Sequence, residues 1–179
     1  FKIAGNKCQQ VSNTALYQQS GNVIKIDKEN DIWIGHVNGL VRIRKEEVFF
    51  WDGLIKGSSI SVISLFEDKD GSIWIGTEGD GLYKLMNGKV FRVKFSADED
   101  ASYVTSITKD NNGRMWIGTS GGGVFVIEKE TVFNIRSQNG LSSDLVSSII
   151  FDGQKNVWIA TDRGLNEIKL INGEANVVK

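Results

Sequence analysis

The sequence predicts an all-β fold: a β-propeller segment of four complete four-stranded antiparallel blades plus half a blade. Three observations predict it. A motif recurs with a period of about 42 residues, the length of one propeller blade. Each copy divides into four short runs of β-branched, aliphatic or aromatic residues separated by turn residues. No window of comparable length has the periodicity of an amphipathic helix.

The repeat is anchored by a tryptophan that follows an aspartate by six residues. The tryptophans are spaced 41, 42 and 42 residues apart, at Trp33, Trp74, Trp116 and Trp158. The aspartates are Asp27, Asp68, Asp110 and Asp152. Two residues after the tryptophan stands a glycine or, in the fourth copy, an alanine: Gly35, Gly76, Gly118 and Ala160. So many coincidences at one period establish an internal repeat.

The second copy illustrates the predicted blade. Its strands are predicted over 61–67, 73–77, 82–85 and 90–95. Turn residues separate these strands, and Asn87-Gly88 between the third and the fourth is a strong hairpin signal. Asp68 opens the first turn, where we expect the repeat aspartate to accept backbone N–H bonds.

The patterning of the strands predicts sheets that are covered on both faces. Runs such as SVISLF and SIWIG are apolar at successive positions, which is typical of a sheet packed between two neighbours. Within IWIG the tryptophan and the glycine share one face, because strand side chains alternate. We therefore expect the indole ring to pack over a gap left by a missing side chain, and Ala160 is the smallest departure from glycine there.

The repeat also predicts where each blade begins and ends. The blades are predicted over 11–51, 52–95, 96–136 and 137–179, all in one propeller domain, and residues 1–10 are the last two strands of a preceding blade. The two ends do not complement each other, so we expect a segment of a larger ring. An incomplete ring exposes the apolar face of a terminal blade. The expected partners are therefore the remaining blades of that propeller or another copy of the chain.

Charge and composition argue against several classes of function. Lys plus Arg number 21 and Asp plus Glu 22, unlike the basic surface of a nucleic-acid-binding protein. No apolar run approaches the roughly 20 residues of a membrane-spanning helix, so no direct membrane insertion is predicted. A single cysteine, Cys8, excludes an internal disulfide, and a single histidine, His36, excludes repeated histidine metal sites. We predict no metal and no cofactor, and we expect any signal peptide to lie outside a chain that begins at Phe1.

One motif carries a resemblance to a known family. The pattern D-x-x-G-x-[ILM]-W-I-G-T-x-G-[GD]-G-[LV] at 68–82 and 110–124 resembles the two-component regulator propeller repeat, as does the lead-in GLSSDLVSSI at 140–149. The resemblance implies a seven-bladed propeller in the periplasmic part of a bacterial hybrid sensor histidine kinase. It also implies a response to glycan fragments, so that an oligosaccharide is the expected ligand. His36 and Ala160 depart from the motif, and the second turn is one residue shorter in the first and fourth copies.

Candidate binding residues lie in the loops that emerge together at one face of a propeller. There we select Trp51, Asp52, Asp80, Asp144 and Arg163 as ligand-binding candidates. Trp51 is placed in the loop joining the first blade to the second; core or edge packing is the leading interpretation of this residue, and ligand binding is the alternative. The repeat aspartates sit one per blade and cannot converge on one metal ion, so they are interpreted as turn residues. No catalytic residue is predicted.

Three functions remain open at this stage. The first is a non-catalytic sensory or interaction module of a two-component sensor, located in the periplasm. The second is a fragment of a propeller lyase, whose chemistry would have to lie in other blades because the chain has one histidine. The third is a purely structural scaffold that associates with itself.

Overall fold

The computed structural model describes residues 2–4, 7–9, 20–45, 47–52, 59–96, 99–153, 156–171 and 174–178. Among these residues are four four-stranded antiparallel sheets and one two-stranded sheet, which confirms the all-β propeller fold. The two-stranded sheet consists of β1 (Lys2–Ala4) and β2 (Lys7–Gln9). The four-stranded sheets are called the first to fourth blades in chain order.

The strands follow one another in each blade without a crossover. The first blade has β3 (Gly21–Ile26), β4 (Ile32–His36), β5 (Gly39–Arg44) and β6 (Glu47–Asp52). The second has β7 (Val62–Glu67), β8 (Ile73–Thr77), β9 (Leu82–Met86) and β10 (Lys89–Val93). The third has β11 (Val104–Lys109), β12 (Met115–Thr119), β13 (Val124–Glu128) and β14 (Thr131–Ile135). The fourth has β15 (Val146–Phe151), β16 (Asn156–Thr161), β17 (Gly164–Ile171) and β18 (Glu174–Val178). Short 3-10 turns cover Glu99–Ala101 and Ser137–Asn139.

Two local predictions are wrong. Trp51 is not in a loop, because β6 extends to Asp52 and Trp51 pairs with Leu40 of β5. The fourth strand of the second blade ends at Val93, whereas the sequence predicted it to reach residue 95. Phe95 leaves the strand because its ring packs into the core between blades, edge-on to Phe125 with 5.1 Å between ring centroids. The predicted division into blades at 51/52, 95/96 and 136/137 stays a prediction.

The core lies between the blades in three clusters, one at each junction. Between the first and second blades, Trp33 and Leu40 pack against Ile75 and Tyr83. Between the second and third, Leu82 packs with Phe125. Between the third and fourth, Trp116 packs with Ile159. Both faces of the two middle sheets are therefore buried, as their apolar patterning requires.

A glycine after each tryptophan brings neighbouring blades into close contact. A Cβ atom built on Gly35, Gly76 or Gly118 would lie 2.5, 2.7 or 2.7 Å from a Cγ1 atom of a valine in the next blade. These valines are Val62, Val104 and Val146, each at the start of the first strand of its blade. Real side chains do not approach so closely, so the valine occupies the space that a missing Cβ leaves. The gap is thus filled by the next blade, and its cover by the indole ring stays a prediction.

An irregularity in the first strand of each blade opens a second contact between blades. The pairing shifts by one residue directly after Val62, Val104 and Val146, as a β-bulge does. The carbonyl oxygens of these valines accept hydrogen bonds from the preceding blade. The donors are Asn22 Nδ2 at 3.1 Å, Ser64 Oγ at 2.9 Å and Thr105 Oγ1 at 2.8 Å, in that order. Each junction therefore combines apolar packing with a side-chain bond to the bulged backbone.

The packing at the glycine gap predicts a specific pattern of stability. Gly118→Ala places a methyl group against Val146 and is expected to destabilise the fold by about 1–3 kcal/mol through overpacking. Gly118→Ala combined with Val146→Ala should cost less than the sum of the two single changes, because the second substitution removes the clashing methyl groups. Urea unfolding of the four proteins in this cycle measures the coupling, and additive effects would contradict this packing.

Candidate functional site

A cavity of about 590 Å³ lies on the loop face between the second and third blades. It lies where the loop between β8 and β9 meets the end of β10 and the connection to β11. The lining residues are Gly79, Gly81, Leu82, Arg92, Val93, Lys94, Phe95, Ser96, Ala101 and Ser102. The cavity therefore lies among the loops that the sequence selected as the binding face.

Backbone hydrogen bonds between blades shape one wall of this cavity. The N–H groups of Gly79 and Gly81 both donate to the carbonyl oxygen of Ser102, at 3.2 and 2.7 Å. Thr77 Oγ1 fixes the loop from inside by donating to the Gly81 carbonyl and accepting the Asp80 N–H. Gly81 has a φ of +84°, which favours glycine at this position. The loop is thus attached to the next blade by two bonds to a single oxygen.

The same attachment recurs at the next junction. The N–H groups of Gly121 and Gly123 both donate to the Asp144 carbonyl oxygen, each at 3.0 Å. This arrangement explains the spacing of the two glycines in the longer turns of the second and third blades. The sequence identified these turns as hairpins but did not predict their bonds to the next blade.

The cavity combines an apolar floor with two cations. Leu82, Val93 and Phe95 supply buried or half-buried apolar surface. The side chains of Arg92 and Lys94 are exposed, and within the described part of the chain neither forms a hydrogen bond or an ion pair. None of the described lining residues is acidic. Such a site can attract an anion, and a guanidinium group binds carboxylate or sulfate oxygens with paired hydrogen bonds.

Tyr83 lies directly opposite Arg92 on the neighbouring strand, so the two side chains are on the same face of the sheet. The two residues are directly paired between β9 and β10, and the Tyr83 ring belongs to the core between the first and second blades. Burial raises the pKa of the Tyr83 hydroxyl above 10.0, and Asp80 adds to this effect while Arg92 opposes it. The phenol therefore stays neutral at physiological pH.

Two of the five candidate binding residues, Trp51 and Asp52, lie in β6, the other three lie in separate loops, and none is among the residues that line the cavity. The Trp51 ring packs against Trp33 with 5.5 Å between centroids and an interplanar angle of 34°, which is a core contact. Asp52 ends β6, and its side chain lies outside the described residues. Asp80 lies between two lining glycines. Asp144 accepts the Ser137 N–H on its carboxylate at 2.6 Å. Arg163 is exposed in the short turn after β16, and its backbone N–H donates to Thr161 Oγ1.

Sequence reasoning missed Arg92 and Lys94. Both follow from the alternation in the run FRVKF, where cations alternate with apolar residues at the end of the fourth strand. This signal was available, but a cation on an edge strand is also a common protection against aggregation. The fold is needed to place these cations beside a cavity.

The repeat aspartate has a second role that the sequence did not predict. Asp27 Oδ1 accepts the backbone N–H groups of Glu29 and Asp31, as expected of a turn residue. Its other oxygen, Oδ2, accepts the indole Nε1–H of Trp33 at 2.8 Å. The same indole bond joins Trp116 to Asp110 at 3.0 Å and Trp158 to Asp152 at 3.3 Å. The six-residue spacing therefore places the aspartate of the turn where its carboxylate accepts a hydrogen bond from the indole of the tryptophan.

The second blade departs from this pattern. The carboxylate of Asp68 binds Lys109 Nζ of the third blade, at 2.7 and 2.9 Å. The buried Trp74 Nε1–H has no hydrogen-bond partner within the described residues. Lys84 Nζ lies 5.1 Å from the centroid of the Trp74 ring, so the indole contacts a cation instead. An ion pair between blades here replaces a bond within one blade.

Two further features bear on function. Within the described residues, no group of three or more His, Cys, Asp and Glu side chains is placed to hold a metal ion. The same residues contain no helix that is long and apolar enough to cross a membrane.

Comparison with protein families identifies the repeat. The family described as two component regulator propeller matches the chain at residues 56–79, 98–121 and 140–163. Each matched segment includes the first strand of a blade, the aspartate turn and the tryptophan strand. No curated protein matches the chain.

Solved structures share the fold. The extracellular domain of BT3049 from B. thetaiotaomicron, named as a hybrid two component system, is 27% identical with a TM-score of 0.75; the match covers 87% of this chain and 22% of that one. The extracellular domain of BT4673 from the same organism, named as a one component system, is 26% identical with a TM-score of 0.69, covering 83% of this chain and 21% of that one. The chain thus spans about a fifth of these relatives. Virginiamycin B lyase from Staphylococcus aureus has a TM-score of 0.73 over 96% of this chain and 58% of its own, but at 15% identity this likeness concerns the fold alone.

The ion pair between Asp68 and Lys109 predicts a dependence of stability on pH. Burial opposes ionisation of Asp68, but the hydrogen bond and charge of Lys109 and the Lys69 N–H hold the carboxyl pKa below 3.8. A carboxyl group with a lowered pKa stabilises the fold above its unfolded-state pKa and loses this effect as pH falls through the folded-state value. Lys109→Met should lower Tm at pH 7 by about 2–10 °C, because a buried charge that loses its partner costs about 1–3 kcal/mol.

The difference in Tm between the native protein and Lys109→Met should shrink as pH falls below about 3.8. Thermal unfolding followed by circular dichroism from pH 2 to 7 measures this difference. Lys89→Met is the matched control, since Lys89 is an exposed lysine at the start of β10 without a described partner, and its Tm should follow that of the native protein. A difference for Lys109→Met that is constant over this pH range would contradict the assignment.

Proposed function

Since the chain carries two-component regulator propeller repeats, we propose that it is an extracytoplasmic, ligand-sensing module of a two-component signalling protein. The ligand binds in the cavity between the second and third blades, and the chain itself performs no catalysis. The single observation that carries this proposal is the cavity, which lies on the loop face and whose lining includes Arg92 and Lys94.

The extracytoplasmic location rests on the solved relatives. The two relatives from B. thetaiotaomicron are extracellular domains of two component and one component systems. For this chain we propose the periplasm, where it would face solutes that enter from outside the cell.

The composition of the cavity favours an acidic oligosaccharide as the ligand. Arg92 and Lys94 can bind carboxylate or sulfate groups, and the Ser102 side chain can bind sugar hydroxyls. Apolar surface from the half-buried Val93 suits the C–H faces of sugar rings. A volume of about 590 Å³ lies in the ordinary range for small-molecule sites.

The lyase alternative has no comparable support. Acid–base chemistry needs a positioned group of suitable pKa, and the only histidine of the chain, His36, is buried in the first blade, away from this cavity. Binding is therefore the function that the cavity supports best.

Binding of a panel of acidic and neutral oligosaccharides, measured by calorimetry, tests the proposal. Arg92→Gln combined with Lys94→Gln should weaken binding of the acidic ligands by about 10- to 100-fold, because bonds to charged groups contribute about 1.5–3 kcal/mol. Lys89→Gln removes a lysine from the same strand outside the cavity and should leave the affinity unchanged. Equal affinity of the native protein and the double variant for an acidic oligosaccharide would refute a ligand site at this cavity.

A further inference from the structure

Asn87 and Gly88 form the two-residue turn between β9 and β10. Both residues have a positive φ, +52° and +74°, as the central residues of a type I′ turn do. The third blade makes the corresponding turn with Lys129 and Glu130, and the φ of Lys129 is likewise positive at +55°. The fold therefore does not require the Asn-Gly dipeptide at this place.

An asparagine followed by glycine can lose the amide of its own side chain, and asparagine is for this reason a thermolabile residue. The backbone nitrogen of the glycine gives up its proton and attacks the asparagine Cγ. The bond from Cγ to the side-chain nitrogen breaks, and ammonia leaves. Water then opens the resulting cyclic imide at either of its carbonyl carbons and yields isoaspartate or aspartate, so that a carboxylate replaces a neutral amide. In a folded chain the reaction needs a mobile asparagine side chain and a glycine N–H group that no acceptor holds.

The turn at Asn87 and Gly88 meets both requirements. The Asn87 side chain is exposed and forms no hydrogen bond within the described part of the chain. The Gly88 N–H group has no acceptor among the described residues either. A Cβ built on Gly88 would meet no atom within 4 Å beyond its chain neighbours, so the space around the attacking nitrogen is open. The second blade packs against the first and the third, so this exposure belongs to an internal blade of the propeller.

The other Asn-Gly dipeptides of the described residues lie at 38–39, 112–113 and 139–140. In two of them the glycine nitrogen is held. The Gly113 N–H group donates to the carbonyl oxygen of Asp110 at 3.1 Å, and the Gly140 N–H group donates to that of Ser137 at 3.0 Å. Each of these bonds must break before the nitrogen can attack, which slows the reaction.

In two of them the asparagine side chain is held as well. Asn139 Oδ1 accepts the Arg136 N–H at 2.9 Å, and Asn38 Oδ1 accepts the Ser59 hydroxyl. Gly39, which follows Asn38, is buried within β5. Among the described Asn-Gly dipeptides, the one at 87–88 therefore combines a side chain and a glycine N–H group that are both unbonded.

We propose that Asn87 is a site of spontaneous deamidation, at which the turn between β9 and β10 gains a carboxylate. The isoaspartate product adds a carbon atom to the main chain of a two-residue turn, so it disturbs the pairing of Met86 with Lys89 that closes the hairpin. The aspartate product keeps the length of the turn and adds only the charge. Because β10 is an edge strand that pairs with β9 alone, the first product loosens its attachment to the blade.

Peptide mapping of the folded native chain during incubation in warm neutral buffer tests the proposal. Mass spectrometry follows the conversion of each asparagine, and methylation by an isoaspartyl methyltransferase identifies isoaspartate. Asn87 should convert about tenfold faster than Asn112 or Asn139, a ratio that corresponds to about 1.4 kcal/mol, the order of one hydrogen bond. The chain unfolded in urea is the control, and there the dipeptides should convert at similar rates because no fold distinguishes them.

A double substitution provides a matched control for the position. Asn87→Lys combined with Gly88→Glu copies the turn of the third blade and should yield no isoaspartate in this peptide, while circular dichroism matches that of the native chain. Conversion of Asn112 or Asn139 in the folded chain at the rate of Asn87 would overturn the proposal. So would a folded chain in which Asn87 stays intact over a period that converts it fully in urea.

Discussion

The structure depends on the absence of one side chain in each of the first three blades. Because Gly35, Gly76 and Gly118 lack a Cβ, the valine at the start of the next blade can enter the gap and bring two sheets into contact. This contact sets how closely and in what register the blades lie. The loops at one face then meet across each junction, and the cavity between the second and third blades is a product of that meeting.

Hydrogen bonds also join neighbouring blades, and the donor side chain differs from one junction to the next. The bulged carbonyls accept bonds from Asn22, Ser64 and Thr105, three different side chains in one role. The aspartate and tryptophan bond holds a turn to the core in three blades, whereas the second blade uses its aspartate to bind the third. A buried polar group without a partner costs free energy. In the second blade, Lys109 binds the carboxylate of Asp68 and Lys84 contacts the ring of Trp74, so both groups have another interaction in place of the aspartate–indole bond.

Most of the fold could be predicted from the sequence, because the repeat displays each strand and turn four times. The strand IWIGT and the aspartate turns were placed correctly for this reason. The bonds between blades could not be predicted, since they join residues about 41 positions apart whose approach depends on the bulge in each first strand. Trp51 shows the limit of the repeat: it lies outside the shared motif, so nothing in the other copies revealed that β6 extends to include it. Arg92 and Lys94 were missed because the sequence of one strand shows which residues alternate but not which surface or cavity they lie beside.

The same packing rule links the scaffold to the proposed ligand site. A rigid set of blades holds the loops around the cavity between the second and third blades. The most direct test of the rule is a nuclear Overhauser measurement on methyl-labelled protein. Strong cross-peaks are expected between the methyl protons of Val146 and the α protons of Gly118, since a Cβ at that glycine would lie 2.7 Å from Val146 Cγ1. If these cross-peaks are absent while β12 and β15 retain their own strand contacts, the blades do not pack through the glycine gap and the account is wrong.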